Sequence, residues 1–300
     1  NITVNDYDNA PGSGSPITYE DVPDYSDTMN IDERKYWAFK VEDIERAQSD
    51  LDVRGQYTKR ASVAMKDAIE EWLLGPAFYG AVGQIMVTGS TPSARLDSTA
   101  YVLGDRVVPA IANGHIYTCT QAGTSDASEP TMSTDMGETV TDGTAVFTCT
   151  GYTGFGTLTA ANLYKTLVRT KKALRKANTW IEGEMWAVIP PELEELILTS
   201  TELTHATDRA DDLVERGLFG RLAGFTLYVS NNVTGAGTGG DPFRVICGNG
   251  DLISFAEQIT ETEAVRLEGE FATGVRGLMV YGGKIFERNK FAGLVIEAEV

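Results

Sequence analysis

Two histidines, His115 and His205, are the side chains of this 300-residue sequence whose ordinary pKa suits proton transfer near neutral pH. His115 stands in ANGHIY, a turn entering a strand, and His205 in ELTHATD, a polar loop. Neither has a cysteine, serine or second histidine at a catalytic spacing, and both read as solvated loop residues. Glu194 and Glu195 are helix neighbours that point to different azimuths, so they make poor acid/base partners and read as a solvated face. Asp135, Glu138 and Asp142, in TDMGETVTDG, supply oxygens without the regular alternation of a calcium loop, and read as turn-forming acids. No HExxH, GxSxG or GxxxxGK[ST] pattern occurs, and the glycine clusters GSGS (12–15) and GTGGD (237–241) join no strand to a helix. The expectation is a protein that is not an enzyme, with no catalytic, cofactor-binding or metal-binding residue assigned.

Two further groups carry weight. Cys119 and Cys149 occupy matching places in IYTCT (116–120) and VFTCT (146–150), which echo each other as neighbouring strands of a small sheet would. They are close enough in such a pair to raise the question of a bond, but three cysteines with no CxxC spacing suit a reducing compartment, and buried thiols are the expected state. Within TLTAANLYKTLVRTKKALRKAN, Leu163, Leu167, Thr170 and Leu174 share one helical stripe, and six bases cover the remainder. The face formed by Lys165, Arg169, Lys172 and Lys176 suits either nucleic acid or acidic surfaces such as Glu261, Glu263, Glu268 and Glu270. Charge pairing, within or between subunits, is the reading preferred.

The elements that would position these groups follow from periodicity. NITVNDYD (1–8) and MNIDERKYWAFKV (29–41) read as strands flanking a Gly-, Pro-, Ser- and Asp-rich tip, that is, a long hairpin. Within KYWAFKV, Tyr36, Ala38 and Lys40 fall on one side and Trp37, Phe39 and Val41 on the other. From Glu42 the period becomes helical and the first turn acidic. Tyr57, Ala61, Ala64, Met65, Ala68, Ile69, Trp72 and Leu73 mark a long amphipathic helix stopped by Gly75 and Pro76. Residues 92–152 lose the helical period and read as short strands and turns, an inserted β module. MWAVIPP (185–191), FGRLAGFTLYVSNNV (219–233), FRVICG (243–248) and VRGLMVYGGKIF (275–286) read as strands, and ELEELILTS as a helix. The class is α+β.

Composition narrows function. A 42% hydrophobic content builds a sizeable core, and a net charge of -18 argues against a surface evolved to grip nucleic acid or anionic membrane. No run of 18 apolar residues and no signal peptide is found, so neither a membrane span nor secretion is expected, and synthesis in the cytosol is the simplest reading.

Three stretches then resemble a family, the major capsid proteins of tailed bacteriophages with the Hong Kong 97-type fold. IDERKYWAFKVEDIERAQSD (31–50) looks like the returning strand of the extended loop and its short helix. LVERGLFGRLAGFTLYVSNNV (213–233) is similar to the helix, turn and strand of the axial domain, and EAVRLEGEFATGVRGLMVYGGKIFERNKFAGL (263–294) to the closing strands. The likeness implies an extended-loop hairpin and short helix at 1–50, a spine helix and the start of the peripheral domain at 51–91, the β insertion at 92–152, and an axial domain with returning peripheral strands at 153–300. Members carry an arm before the loop, and here the chain begins at Asn1 within a strand, so the arm is expected to be cleaved in maturation or otherwise absent.

The implied function is a structural coat protein whose copies form hexamers and pentamers of an icosahedral shell around double-stranded DNA, bound without sequence specificity. Portal, scaffold and decoration proteins are the implied partners, and the host cytoplasm the place of assembly. Tyr25, Arg34, Lys35 and Trp37 of the loop are the expected contacts between subunits. The insertion resembles small β modules of phage tail and fibre proteins, some of which bind carbohydrate. Met132 and Phe147 stand where tryptophans would be expected, which weakens sugar stacking. A surface protrusion for stabilisation, decoration or weak glycan attachment is the implied role. The rival readings are an encapsulin-type nanocompartment, a glycan-binding phage adhesin and, last, an enzyme.

Overall fold

The computed structural model describes residues 26–42, 53–200 and 221–300. The expected first hairpin strand and tip with Tyr25, the acidic helix after Glu42, His205 and the segment 213–220 lie outside the described residues.

Hydrophobic alternation builds the first sheet. Strand β1 (Glu33–Glu42) lies along β14 (Ala272–Lys284), which in turn pairs with β13 (Ser254–Arg266); all pairings are antiparallel and β14 is central. The expected strand at 29–41 thus starts later, at Glu33, and β13 is a 13-residue strand that the Glu- and Thr-rich sequence did not announce. Helix α1 (Val53–Leu73) lies along this sheet. At one end Tyr57 meets Phe39 at 5.6 Å between ring centroids; at the other, Trp72 packs edge-on to Tyr281 at 5.1 Å and to Phe78 at 4.8 Å. The helix stops where Pro76 forces extended backbone on Gly75 (ψ 176°), and Pro76 then opens the single turn α2 (Pro76–Tyr79). Of the predicted stripe, Ile69 is buried, Ala61, Met65, Ala68, Trp72 and Leu73 are half-buried, and Tyr57 and Ala64 are exposed, so this chain covers the stripe only in part.

A second, larger sheet forms the body. Its strands are β2 (Ile85–Val87), β4 (Arg106–Val107), β5 (His115–Gln121), β7 (Thr139–Asp142), β8 (Ala145–Thr153), β9 (Trp186–Ile189), β10 (Arg221–Leu222), β11 (Phe225–Val229), β12 (Phe243–Gly248) and β15 (Gly293–Ala298). The order is β10-β11-β9-β12-β15-β2-β8-β5-β4, with β7 on β8, and a small pair, β3 (Ala100–Tyr101) with β6 (Gly123–Thr124), lies apart. The stretch 219–233, read from its pattern as strand and by resemblance as part of a helix, turn and strand, contains a tight turn within its described residues: Ala223 and Gly224 both take positive φ (52° and 96°), the geometry of a two-residue hairpin.

Helix α3 (Leu163–Lys176) buries Leu163, Thr166, Leu167, Thr170, Ala173 and Leu174 against this sheet, and α4 (Pro191–Leu198) buries Leu193 and Ile197. Thr166 and Thr170 donate their hydroxyls to the carbonyls four residues back, which satisfies them inside the core. Segment 92–152 has an apolar cluster of its own, formed by Tyr101, Val107, Tyr117, Cys119, Met132, Ala145, Phe147 and Cys149. Its longest strand nonetheless belongs to the large sheet, since Gly151, Tyr152 and Thr153 of β8 pair in parallel with Ile85, Met86 and Val87 of β2.

Candidate assembly surface

Strand β1 divides its side chains between two faces. Trp37 and Phe39 stack at 5.6 Å on the inner face, and Val41 is buried beside them. Trp37 lies opposite Gly277 of β14, where any Cβ would run into the indole, so the absence of a side chain at 277 makes the seat for the ring. The outer face presents Tyr36, 80% exposed, directly opposite Leu278, which is opposite Glu261 of β13. Phe271, at the turn between β13 and β14, is 82% exposed. Ion pairs frame this face: Lys40 reaches Glu270 at 2.9 Å and Glu42 at 3.6 Å, Arg276 pairs with Glu263, and Lys284 holds Asp27 at 2.7 Å. The bond from Lys284 lowers the Asp27 carboxyl, and the bond from Glu270 raises the Lys40 ammonium.

Of the expected contact residues, Arg34 and Lys35 are exposed on β1, Trp37 is half-buried against its own chain, and Tyr25 lies outside the described residues. Tyr36, which the alternation already placed on the face opposite Trp37, is a large apolar group of β1 that this chain leaves uncovered. The charged edge of β13, with Glu257, Glu261, Glu263 and Arg266, has no second strand among the described residues. Such charges discourage indiscriminate edge-to-edge pairing.

The basic helix is only partly occupied by internal contacts. Arg169 donates to the carbonyls of Thr153 and Gly154 (2.7 and 3.3 Å) and lies over the Phe155 ring at 3.9 Å. Lys171 sits over Trp180 at 4.7 Å, and Arg175 pairs with Glu182 at 3.1 Å. Arg175 and Lys176 also occupy the last turn, where the helix dipole favours cations. Lys172 and Lys176 line a cavity of about 160 Å³ whose opposite wall is Asn113, His115 and Tyr152.

His115 is therefore not a solvated loop residue. It is 8% exposed, its ring 5.0 Å from that of Tyr152, with Nδ1 3.1 Å from the Asn113 carbonyl. Burial, the largest influence, together with the nearby Lys176 and Lys172, lowers its pKa, while the bond to the Asn113 carbonyl and the charge of Asp135 act the other way. Local pattern marks the turn before β5 but not the helix that closes over it.

Asp142 is also deeper than a turn-forming acid. Arg95, 3% exposed, grips it with Nε and Nη2 at 2.8 Å each, and the Asp126 amide donates a third bond at 2.9 Å. Burial by itself would raise the carboxyl, but the Arg95 and Asp126 bonds outweigh it and hold the pKa low. Arg95 also bonds Asp97 and the Asp126 carbonyl, so one guanidinium gathers three loops of the segment. A second bridge joins the segment to the body: Arg106 donates to both carboxylate oxygens of Glu297 (3.0 and 2.8 Å), which Arg244 approaches at 3.7 Å.

All three cysteines are free and buried. Cys119 is opposite Phe147, and Cys149 opposite Tyr117, so the echoed strands pair as expected but offset their thiols. Burial pushes Cys149 up to about 11 and Cys247 up to about 12. Met132 and Phe147 belong to the apolar cluster of 92–152, which leaves neither free to stack on a sugar. Among the described residues no three or more His, Cys, Asp or Glu side chains gather as metal ligands, and no helix is long and apolar enough to cross a membrane.

Comparison with known proteins bears on this arrangement. The model of the family described as phage capsid protein matches residues 126–296. Among solved structures, one from Mycobacterium phage Che8 is similar over 98% of this chain and 81% of its own, with a TM-score of 0.58 and 18% identity. The capsid of the cyanophage P-SCSP1u is similar over 99% of this chain and 80% of its own (TM-score 0.61, 12% identity), and the mature capsid of bacteriophage PhiM1 over 99% and 79% (TM-score 0.51, 12% identity). No curated protein matches by sequence.

Proposed function

The chain belongs to the phage capsid protein family and is a structural subunit of the virion capsid; from that premise we propose that its copies form hexamers and pentamers that close an icosahedral shell around double-stranded DNA. The supporting observation is the three-stranded sheet, whose outer face leaves Tyr36 and Leu278 uncovered and whose inner face is fixed by Trp37 on Gly277. A single chain gains little by holding so long a ribbon and a partly covered helix, whereas a neighbour that covers both buries apolar surface at about 25 cal/mol per Å². The contacts between copies are individually modest and add up around the shell.

In this reading Tyr25, Arg34 and Lys35 touch the adjacent subunit, and Trp37 acts by holding β1 in place for them. The organisation is a loop hairpin at 1–50, spine helix at 51–91, insertion at 92–152 and axial region with returning strands at 153–300. The insertion protrudes from the shell surface and stabilises it or seats a decoration protein, a role supported by the exposed Leu96, Val102, Leu103 and Ile111. The burial of Met132 and Phe147 makes glycan attachment the weakest of its roles. Portal and scaffold proteins act on the shell during assembly in the host cytoplasm. A net charge of -18 keeps the wall from trapping the genome as it enters.

Electron microscopy with sedimentation of the full chain, expressed with its own assembly partners, tests the proposal. Closed polyhedral particles are expected. Persistent monomers under those conditions would overturn it.

A further inference from the structure

The cavity between α3 and the start of β5 has the makings of a binding site that the shell function does not require. Its floor is rigid: Asn113 Oδ1 accepts from the His115 amide (3.0 Å), Asn113 Nδ2 donates to the Tyr117 hydroxyl (2.7 Å), and the Gly114 carbonyl accepts from the Thr153 amide (3.1 Å). Arg169 clamps the helix to the end of β8 through the Thr153 and Gly154 carbonyls. Among the described residues, the polar atom of the cavity that burial leaves without a partner is His115 Nε2. A buried ring nitrogen with no partner is costly. Across from it, Lys172 and Lys176, one helical turn apart, present two ammonium groups that form no ion pair among the described residues.

We propose that this cavity binds a tetrahedral oxyanion of the phosphate class, held by Lys172 and Lys176 and by a proton on His115 Nε2. The geometry supplies what such an anion needs. Nδ1–H of His115 faces the Asn113 carbonyl, so Nε2 of the neutral ring carries a lone pair, and protonation there turns it into a donor aimed at the anion. The charges that face the ring are Lys172 and Lys176 from α3 and Asp135 from the loop before β7; Tyr152, on β8, has its pKa pushed up to about 12 and stays neutral. Burial and the two lysines oppose the imidazolium and outweigh the Asn113 carbonyl and Asp135, which favour it. An anion between the lysines reverses that balance, so binding draws in one proton and tightens as pH falls.

The ligand is either free phosphate or a phosphodiester of the packaged nucleic acid, and both present the same oxygens. Sulfate is the better probe for pH work, because its charge is constant where histidine titrates. Calorimetry on assembled particles, with sodium sulfate against sodium chloride at matched ionic strength, should show sulfate binding about tenfold tighter at about pH 6 than at about pH 8, with proton uptake seen as a dependence of the heat on buffer ionisation. The surface variant K172Q/K176Q should weaken it by about tenfold or more without altering the fold, and H115N should remove the proton uptake. Competition by a short oligothymidylate would identify the phosphodiester as the source, and its failure to compete, free phosphate. Sulfate heats equal to those of chloride, or sulfate binding untouched by K172Q/K176Q, would overturn the proposal; the latter variant decides the matter even should H115N fail to fold.

Discussion

Trp37 and Gly277 face each other across the β1–β14 ladder, the indole lying over a backbone that has no side chain to displace it. The pair turns a strand with few other buried residues into a defined register, because a slip of one residue would move Trp37, Phe39 and Val41 to the outer face. Gly277→Val should push the ring out. Hydrogen exchange over residues 33–42 is expected to speed up, and Trp37→Ala to lower stability by about 2 kcal/mol, less than a fully buried tryptophan would lose. Unchanged exchange in both variants would show that β1 is held by something else.

Tyr36→Ser combined with Leu278→Thr tests the opposite face without placing like charges across the ladder from Glu261. Both side chains lie on the outer surface of the sheet, so the melting of the isolated subunit should change by no more than about 0.5 kcal/mol. Particle yield should fall sharply, measured by sedimentation of assembly reactions. Normal particles from this variant would move the contact elsewhere.

Arg95→Met leaves Asp142 buried with its main cation gone, a change expected to cost about 3–5 kcal/mol. The pH dependence has a definite sign. Because the folded Asp142 carboxyl is held below its ordinary value, its contribution is fully present above the unfolded pKa and disappears as pH falls through the folded one. Acid titration of stability should therefore show a loss in the wild type below the ordinary carboxylate range, and Asp142→Asn should flatten it.

The thiols give a simple chemical readout. With Cys149 near 11, Cys247 near 12 and Cys119 also raised by burial, native protein at about pH 8 should react negligibly with a disulfide reagent, and denatured protein should release three equivalents. Fast reaction of any one of them in the native state would contradict its burial.

Local pattern in the sequence carried some elements and not others. The alternation of Tyr36 and Trp37, the stripe ending at Trp72 with Gly75 and Pro76 behind it, and the echo of IYTCT and VFTCT are properties of a few neighbouring residues, and each appears in the structure. What escaped depends on distant partners. β2 is three residues long, and its parallel pairing with β8 joins positions 66 residues apart, which no local period encodes. Strand β13 hides behind a run of Glu and Thr because it is an exposed edge. Arg95 finds Asp142 across 47 positions. His115 becomes buried only when α3, from beyond the whole insertion, packs over it.

The shared strand β8 also says where this molecule can be cut and where it can be enlarged. Its first half completes the sheet of the insertion, and its last three residues are the partner of β2. Replacing 92–152 by a short linker would thus strip the body of an inner strand. A foreign peptide for display is better spliced before Gly104, an exposed turn where φ is 90° and the space around the Cα is open, so that the ladder between β2 and β8 stays intact and the bond from the Asp105 amide to the Val102 carbonyl is one the splice interrupts.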